Sequence, residues 1–377
     1  MKVFQVGGSL RDEMLGLPVT ERDWVVVGSS PEAMIRQGFR PVGKDFPVFL
    51  HPETHEEYAL ARTERKTAPG YHGFVFHASP NVGLEEDLAR RDLTINAMAR
   101  AADGTLFDPF GGQADLAERR LRHVGPAFVE DPVRLLRVAR FLAKLAPFRF
   151  ETAPPTVALL RHMVSAGEVD ALVPERVQQE LDKGFQTLHP SHMLRALHAW
   201  GALSRLFPNL PSEHLEPSLQ AVDGCARHNL PQRQRWIAWL STLLGPLPDP
   251  QRQSLMADWG ERYRWSREKV QLITLACTLG PSLRHLDART PESWLPIFDR
   301  YDAWRRPARF LESLDLQVCL AELFQDGHPD LKTNGQKALD ICLALDSAAI
   351  ARATTDPRTI PELLRQQRLS ALRSLIP

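Results

Sequence analysis

Two carboxylates stand one residue apart near the N-terminus, directly ahead of an apolar run. Glu21 and Asp23 flank Arg22, and Trp24 opens the run. Side chains of a β-strand alternate between its faces, so Glu21 and Asp23 should point one way, and Arg22 and Trp24 the other. Neighbouring carboxylates repel each other unless a cation lies between them. We therefore interpret the pair as ligands of divalent metal ions.

A glycine pair lies shortly before these carboxylates. The chain runs from a short apolar strand at residues 3–6 through Gly7 and Gly8 into a predicted helix start at residues 9–12, which include Arg11. Glycine lets the backbone approach a phosphate closely, and a helix N-terminus favours an anion. A phosphate-binding turn beside a pair of metal ligands is the apparatus of nucleotidyl transfer.

Two later blocks carry arginines. Arg90 and Arg91 precede an amphipathic stretch that we expect to begin as a helix capped by Asp92. Arginine suits a triphosphate, because its planar fork of donors matches phosphate oxygens, although an isolated basic pair is most often solvated.

The second block is a helix start followed by regularly spaced arginines. Asp131 before Pro132 predicts the first turn, and Arg134, Arg137 and Arg140 then recur at every third residue. We do not expect these arginines to be buried. Taken alone, the stripe is either a solvated face or the lining of a cleft, where an aspartate and an arginine can address the Watson–Crick edge of a base.

The predicted secondary structure that positions these residues changes along the chain, from mixed α/β to helical. The first 110 residues or so read as mixed α/β, with strands expected at residues 3–6, 24–27, 48–50, 58–61 and 74–77. The charged segment 62–73 reads as a loop, either an ordinary connection or one that closes over a nucleotide. Helical periodicity takes over from about residue 112, first at residues 132–145, 155–166, 174–188 and 191–206.

Composition sets outer limits. A chain of 377 residues with 43% hydrophobic and 24% charged residues is typical of a soluble protein of two or more domains. No apolar run approaches the roughly 18 residues of a membrane span, and we expect no signal peptide. The four cysteines lie far apart, so we expect buried reduced thiols in a cytoplasmic protein. The net charge of zero gives no indication of nucleic acid, but the local arginine clusters do.

Taken together and in order, these motifs resemble those of bacterial class II CCA-adding tRNA nucleotidyltransferases, a family of the polymerase-β nucleotidyltransferase superfamily. The resemblance rests on residues 7–12, 21–23, 90–92 and 130–134, with similar connecting text at 45–50 and 57–66, and covers about residues 1–210. It implies an α+β nucleotidyltransferase head with a mixed β-sheet, followed by an all-α neck, body and tail. The expected regions are a head at 1–112, a neck and body at 113–225 with the nucleotide-reading helix at 130–145, and a C-terminal region at 226–377.

The resemblance also implies an activity and roles for single residues. The family adds C, C and A to the 3′ end of tRNA from CTP and ATP without a nucleic-acid template, so tRNA, ATP and CTP are the expected partners. Gly8 and Arg11 would hold the triphosphate, Glu21 and Asp23 would bind Mg²⁺, and Arg91 would contact the nucleotide. The residues expected along the base-reading helix are Asp131, Arg134, Arg137 and Arg140.

Two positions depart from the family pattern. Glu21 stands where the family usually has aspartate, and its longer side chain predicts reduced or retuned activity, since Mg²⁺ tolerates little distortion. Ser241 and Thr242 stand where close relatives carry the His-Asp pair of an HD phosphohydrolase domain. Hydroxyl groups are poor ligands for transition metals. We therefore expect a degenerate HD-like region retained for packing or for contact with tRNA.

Several readings stay open at this stage. A relative that adds only CC or only A would share all these motifs, and so would a poly(A) polymerase of the same family. A catalytically weakened tRNA-binding protein is a reading of another class, for which Glu21 would be the sign of decay. Asp23, Arg91 and the arginine stripe argue against it.

Overall fold

The structure is a computed structural model that describes residues 1–19, 21–42, 48–66, 74–78, 80–286, 291–353 and 356–374. It divides into two compact units. The first comprises Met1–Gly184 with His192–Pro208, and the second comprises Phe185–Ser191 with the residues from Asn209 onward. The three functional regions expected from the sequence stay a prediction, because compactness alone does not test them.

A mixed β-sheet organises the N-terminal part of the first unit. The strands in chain order are β1 (Lys2–Val6), β2 (Asp23–Val27), β3 (Arg40–Val42), β4 (Val48–Leu50), β5 (Glu57–Leu60), β6 (Arg62–Lys66), β7 (Phe74–Ala78), β8 (Ala99–Ala101), β9 (Leu106–Phe107), β10 (Arg120–Leu121) and β11 (Glu151–Thr152). Seven of them form one sheet in the order β3-β4-β5-β2-β1-β8-β9, with β2 and β5 parallel and the other pairs antiparallel. The mixed sheet expected for the head is therefore confirmed.

Helices form most of the rest of the described chain. The helices are α1 (Gly8–Met14), α2 (Pro31–Arg36), α3 (Leu84–Ala89), α4 (Gly112–Ala117), α5 (Val133–Lys144), α6 (Pro154–Ser165), α7 (Pro174–Phe185), α8 (Pro190–Ala199), α9 (Ala202–Leu206), α10 (Leu215–Arg227), α11 (Gln232–Leu244), α12 (Asp249–Arg262), α13 (Arg267–Arg284), α14 (Pro291–Tyr301), α15 (Pro307–Phe324), α16 (Leu331–Leu343), α17 (Ser347–Ala353) and α18 (Ile360–Arg373). Several begin at proline, which has no N–H to lose in a first turn. The fold class expected from the sequence is confirmed.

Three local expectations were wrong. Segment 62–73 is not wholly a loop, since Arg62–Lys66 is a strand paired with Phe74–Ala78, while residues 67–73 lie outside the described residues. The helix expected at 191–206 is interrupted at residues 200–201. Asp92 caps no α-helix: a single 3₁₀ turn at Thr94–Asn96 follows it, and Asp92 Oδ1 accepts a hydrogen bond from the N–H of Leu93 at 2.9 Å.

Each unit contains an apolar cluster of buried residues. In the first, Phe4, Val6 and Val25 of the central strands are buried against Leu88 of α3. In the second, aromatic residues of α14 and α15, such as Phe298 and Phe310, are buried. All four cysteines are buried and free, as expected. Within the described residues, no helix is both long and apolar enough to cross a membrane.

Candidate functional site

The glycine turn brings a carboxylate and an arginine together. In the antiparallel pairing of β1 and β2, Val6 lies opposite Asp23, so the end of one strand meets the start of the other. Gly7 follows with a φ of 75°, in the region that favours glycine. A Cβ atom at Gly7 would lie 3.0 Å from Arg91 Nη1 and 3.5 Å from Asp23 Oδ2. A side chain here would therefore crowd the space between Asp23 and Arg91.

The alternation of side chains around β2 follows the expected pattern. Arg22 Nη1 lies 3.8 Å from a carboxylate oxygen of Glu56, and Trp24 Nε1 donates to Glu56 at 3.0 Å. These two side chains therefore share one side, while Asp23 faces Gly7 and Arg91 on the other. Glu21 lies two residues before Asp23, just ahead of β2, and its charge raises the pKa of Asp23.

The electrostatics of this pair favour a cation. Asp23 is open to solvent but closely surrounded by protein, and this partial desolvation is the main cause that raises its pKa. Arg91 opposes the rise in pKa, and Glu21 adds to it. Among the described residues, the side chains of Glu21 and Asp23 make no hydrogen bond and no ion pair. Two neighbouring carboxylates without a protein partner fit a divalent metal ion.

A cluster of arginines lies beside the carboxylates: Arg62, Arg90, Arg91 and Arg134. Arg91 Nη2 donates to Asp87 Oδ2 at 3.2 Å, which fixes its guanidinium near Gly7. Burial, together with the charges of Arg62, Arg134 and Arg91, lowers the pKa of Arg90 to about 9. Cations that destabilise one another's charged forms create a strong local positive potential, which a polyanion such as a triphosphate would relieve.

The side chain of Arg11 is buried and hydrogen-bonded to protein groups rather than extended into solvent. It is 2% exposed, and its Nη1 donates to Asn96 Oδ1 at 2.6 Å while its Nε donates to Asp12 Oδ1 at 2.9 Å. Burial lowers the pKa of Arg11, and Asp12 opposes this. Asp12 Oδ2 also accepts from Lys144 Nζ at 2.7 Å, which ties α1 to the last turn of α5.

The start of α5 carries Asp131, as the sequence predicted. Asp131 Oδ1 accepts from the N–H of Val133, the first residue of α5, at 3.2 Å. The same carboxylate receives two hydrogen bonds from Arg176 of α7, at 3.0 and 2.9 Å. Asp131 is therefore oriented by a residue that no sequence motif singled out.

The expectation that none of the stripe arginines is buried was wrong for Arg134. It is 9% exposed, because Nη1 donates to the carbonyl oxygen of Ala127 at 2.9 Å and Nη2 to that of Arg90 at 2.8 Å. Two main-chain carbonyl oxygens therefore accept hydrogen bonds from the guanidinium of Arg134. The sequence had suggested that water or a ligand would accept them. Whether it also reads a base stays a prediction.

The remaining stripe residues pair with acids. Arg137 Nε donates to Asp92 Oδ2 at 2.8 Å, and Asp92 also accepts from Asn96 Nδ2 at 2.9 Å. Although burial opposes ionisation, Arg137 and Asn96 hold the pKa of Asp92 well below its usual range. Arg140 Nε donates to Glu180 at 2.6 Å, with its guanidinium 4.5 Å from the centroid of the Phe141 ring.

Sequence reasoning missed the supporting acids and amides of this site. Asp12 and Asn96 lie inside the motif blocks, and their polar side chains were a usable signal. Arg176 and Glu180 lie four residues apart on α7, so they share a helix face. Which arginine of α5 each contacts depends on tertiary packing, which a single sequence does not show.

Ser241 and Thr242, which stand where a His-Asp pair would be expected, lie on α11 in the second unit. Ser241 of α11 is buried, and its Oγ donates to the carbonyl oxygen of Ala238 at 3.4 Å. No group of three or more His, Cys, Asp or Glu side chains that could hold a metal ion occurs among the residues that the structure describes.

Comparisons with known proteins agree on one family. The family described as "Poly A polymerase head domain" matches residues 3–122, and "Probable RNA and SrmB- binding site of polymerase A" matches residues 149–213. The "Multifunctional CCA protein" of Azoarcus sp. (strain BH72) is 45% identical over 406 residues, covering 100% of this chain and 97% of that protein. The complex of a CCA-adding enzyme with CTP superposes with a TM-score of 0.69 at 25% identity, over 98% of this chain and 87% of that one. The Thermotoga maritima CCA-adding enzyme complexed with tRNA_CCA shares the fold, with a TM-score of 0.66 at 22% identity, over 100% of this chain and 90% of that one.

Proposed function

Because the chain belongs to the family of the multifunctional CCA proteins, we propose that it adds C, C and A to the 3′ end of tRNA from CTP and ATP without a nucleic-acid template. The observation that supports this proposal most directly is that the carboxylates of Glu21 and Asp23, which have no protein partner among the described residues, lie beside the arginine cluster. Metal ligands and phosphate ligands at one strand end are the groups that nucleotidyl transfer requires.

The arginines would bind and orient the triphosphate. Arg91 lies across Gly7 from Asp23, so a phosphate held by Arg91 would also lie close to the metal ligands. Gly8 permits a phosphate to approach the backbone closely. Arg11 now bonds Asp12 and Asn96, and a phosphate oxygen would share or replace these partners. The binding of a triphosphate would relieve the repulsion among the arginines.

Glu21 and Asp23 would hold the metal ions, and we propose Mg²⁺ as the physiological metal. Members of this nucleotidyltransferase family use a divalent metal ion. When bound, the metal lowers the pKa of the attacking hydroxyl and stabilises charge on the leaving pyrophosphate. Without a metal ion, partial desolvation raises the pKa of Asp23, so its carboxylate takes up a proton more readily than a free aspartate does.

Asp131 and Arg134 would read the base at the start of α5. Arg176 orients Asp131, and the carbonyl oxygens of Ala127 and Arg90 orient Arg134. Cytosine and adenine each carry an exocyclic amine and a ring-nitrogen acceptor, so one acceptor and one donor suit both bases. Uracil and guanine present the reverse pattern and would leave buried polar groups unpaired. Arg137 and Arg140, braced by Asp92 and Glu180, would line the same side.

The test is incubation with tRNA transcripts that lack the CCA end, that end in CC or that end in the complete CCA. Each transcript is incubated with labelled CTP, ATP, UTP or GTP, singly and in combination. Sequential incorporation of two C residues and one A from CTP and ATP supports the proposal. Incorporation that stops after CC, occurs only on the CC-ending transcript, or continues as a run of A identifies the CC-adding, A-adding or poly(A) alternative. Binding of tRNA without incorporation would identify the weakened relative.

A further inference from the structure

Two buried thiols meet in the second unit. Cys225 lies in the last turn of α10 and Cys319 lies in α15, and a hydrogen bond between the two thiols joins their Sγ atoms at 3.9 Å. Both side chains are buried. Of the four cysteines, all of which lie within the described residues, only these two contact each other. Two residues that are 94 positions apart in the sequence therefore lie within reach of one covalent bond.

The two helices approach each other closely at this contact. Gly224 precedes Cys225 on α10, and a Cβ atom at Gly224 would lie 3.0 Å from Leu323 Cδ2 of α15. A side chain at residue 224 would therefore crowd α15. The packing of α10 against α15 thus holds the two thiols together in the folded unit.

A contact between polar side chains lies one turn beyond the thiols. His228 directly follows α10, and its Nε2 lies 3.5 Å from Glu322 Oε2 of α15. His228 follows Cys225 by three residues and Glu322 follows Cys319 by three, so both lie on the helix faces that carry the thiols. The side chains of His228 and Glu322 are 47% and 59% exposed. The thiols therefore lie about one helical turn beneath solvent, and local opening at the end of α10 gives a small oxidant access to them.

The thiol of Cys319 is the more acidic of the two. Its hydrogen bond with Cys225 lowers the pKa of Cys319, and the charge of Arg227 lowers it too, although burial and the charge of Glu322 oppose this. The same hydrogen bond, and then burial, raise the pKa of Cys225. The thiolate is the form of cysteine that attacks an oxidant. These shifts assign the attack to Cys319 and leave Cys225 as the thiol that completes the bond.

We propose that Cys225 and Cys319 form a site of reversible oxidation, at which a disulfide bond links α10 to α15. The sulfurs must move from 3.9 Å apart to about 2 Å apart. Each sulfur moves by rotation about its own Cα–Cβ bond, so the two side chains share this approach. The site lies in the second unit and does not depend on the proposed nucleotidyl transfer.

The oxidant is a peroxide. The thiolate of Cys319 attacks one oxygen of hydrogen peroxide, the O–O bond breaks, and hydroxide leaves and takes up the thiol proton as water. The sulfur of Cys225 then attacks the sulfenic acid on Cys319, and a second water leaves with the proton of Cys225. Two thiols and one peroxide thus give one disulfide and two waters. The sulfurs lose two electrons, which the peroxide gains, and exchange with a small dithiol reverses the reaction.

Peptide mapping of the intact protein tests this proposal. The reduced, folded protein is treated with hydrogen peroxide, the remaining thiols are blocked with N-ethylmaleimide in denaturant, and trypsin digests the product without reductant. Cleavage after Lys and Arg puts each of the four cysteines on a different peptide. We expect a disulfide-linked pair of peptides 206–227 and 310–332 that dithiothreitol separates, and a fall in free thiols from four to two.

Three variants identify the bond. Cys225→Ala and Cys319→Ala should each show no linked pair of peptides after oxidation. Cys342→Ala should still form it, because Cys342 is buried outside the pair and burial raises the pKa of its thiol to about 11. Oxidised wild type with unlinked peptides, or with Cys277 or Cys342 in the link, would overturn the proposal. If a variant does not fold, the peptide map of the wild type decides alone.

Thermal unfolding shows whether the bond fits the folded unit. A crosslink between residues 94 positions apart restricts the unfolded chain strongly, so oxidation should raise the Tm by roughly 5–10 °C. Cys342→Ala should show the same rise, and Cys225→Ala should show none. A linked protein no more stable than the reduced one would also overturn the proposal, because the bond would then distort the fold.

Nucleotide incorporation separates this result from the proposed function. Reduced Cys225→Ala should incorporate nucleotides at the wild-type level, since Cys225 belongs to the second unit and to none of the groups proposed for transfer. The peptide map and the Tm do not require transferase activity. Failure of the proposed transferase activity would therefore leave the result for the thiols readable.

Discussion

Asp23 is the residue on which the metal site depends most. It lies at the start of β2 opposite Val6, with its carboxylate free of protein hydrogen bonds among the described residues. Asp23→Ala should lower nucleotide incorporation by more than about 100-fold, since even the loss of an outer-shell partner of a metal ligand typically costs 10- to 100-fold. The Tm should hardly change, because this carboxylate supports no other side chain. Incorporation assays and thermal unfolding check both statements.

Glu21→Asp is the matched variant for the same site. It keeps the charge and removes one methylene, which restores the residue usual in the family. Incorporation should stay equal or rise. Near-normal incorporation by Asp23→Ala would show that the metal ligands lie elsewhere.

The selection of the base should also depend on single residues, namely Asp131 and Arg134. Asp131→Ala and Arg134→Ala should increase misincorporation of UTP and GTP relative to CTP and ATP. Each change removes one hydrogen-bonding group from the base edge, and a lost discriminating contact of this kind is worth about 1–3 kcal/mol. Steady-state kinetics with all four nucleotides measure the ratio of incorrect to correct incorporation. The KM for the correct triphosphate should change less than this ratio. If the CTP:UTP preference were the same in both variants and the wild type, another part of the chain would read the base.

At the scale of elements, the contact between Asp92 and Arg137 joins the segment after α3 to the middle of α5. Asp92→Asn should lower the free energy of unfolding by about 2–3 kcal/mol, somewhat less than for a fully buried pair because Arg137 is partly exposed. Urea unfolding at neutral pH measures this. Glu118→Gln, an exposed carboxylate of the same unit, should change the stability little.

The same pair predicts a pH dependence of stability. The pKa of Asp92 is lower in the folded chain than in the unfolded chain, so its contribution is fully present above the unfolded pKa of about 3.9. It is lost as the pH falls from there through the folded pKa. Asp92→Asn should therefore lose less stability than the wild type between pH 5 and the lowest pH at which the protein stays folded. Parallel acid unfolding curves for wild type and variant would contradict the assignment.

At the scale of the whole molecule, the second unit should be inert as a phosphohydrolase. With Ser241 and Thr242 in place of a His-Asp pair, the protein should show no phosphatase or 2′,3′-cyclic phosphodiesterase activity with nickel or manganese. Nucleotide incorporation by the same preparation should still respond to magnesium. Hydrolysis of a cyclic phosphodiester that is lost on mutation within residues 226–260 would reveal a surviving site in that region.

The sequence predicted the architecture better than the contacts. The alternation of side chains along a strand correctly predicted that Asp23 points to one face and that Arg22 and Trp24 point to the other. This alternation depends on local backbone geometry alone. Burial of Arg134 could not be read from its spacing, since the oxygens that satisfy it come from Ala127 and Arg90 in other segments. The expected cytoplasmic location and the three functional regions stay predictions, since nothing in the fold tests them.

Helix α5 also limits how this protein can change over evolution. Asp131 and Arg134 mark its beginning, and Lys144 at its last turn holds Asp12 beside Arg11. A helix of 12 residues is about 18 Å long, and each residue turns it by about 100°. Inserting or deleting one residue between Arg134 and Lys144 would rotate one end relative to the other and break one set of contacts. Side chains of α5 can therefore drift one at a time, but its length is constrained at both ends.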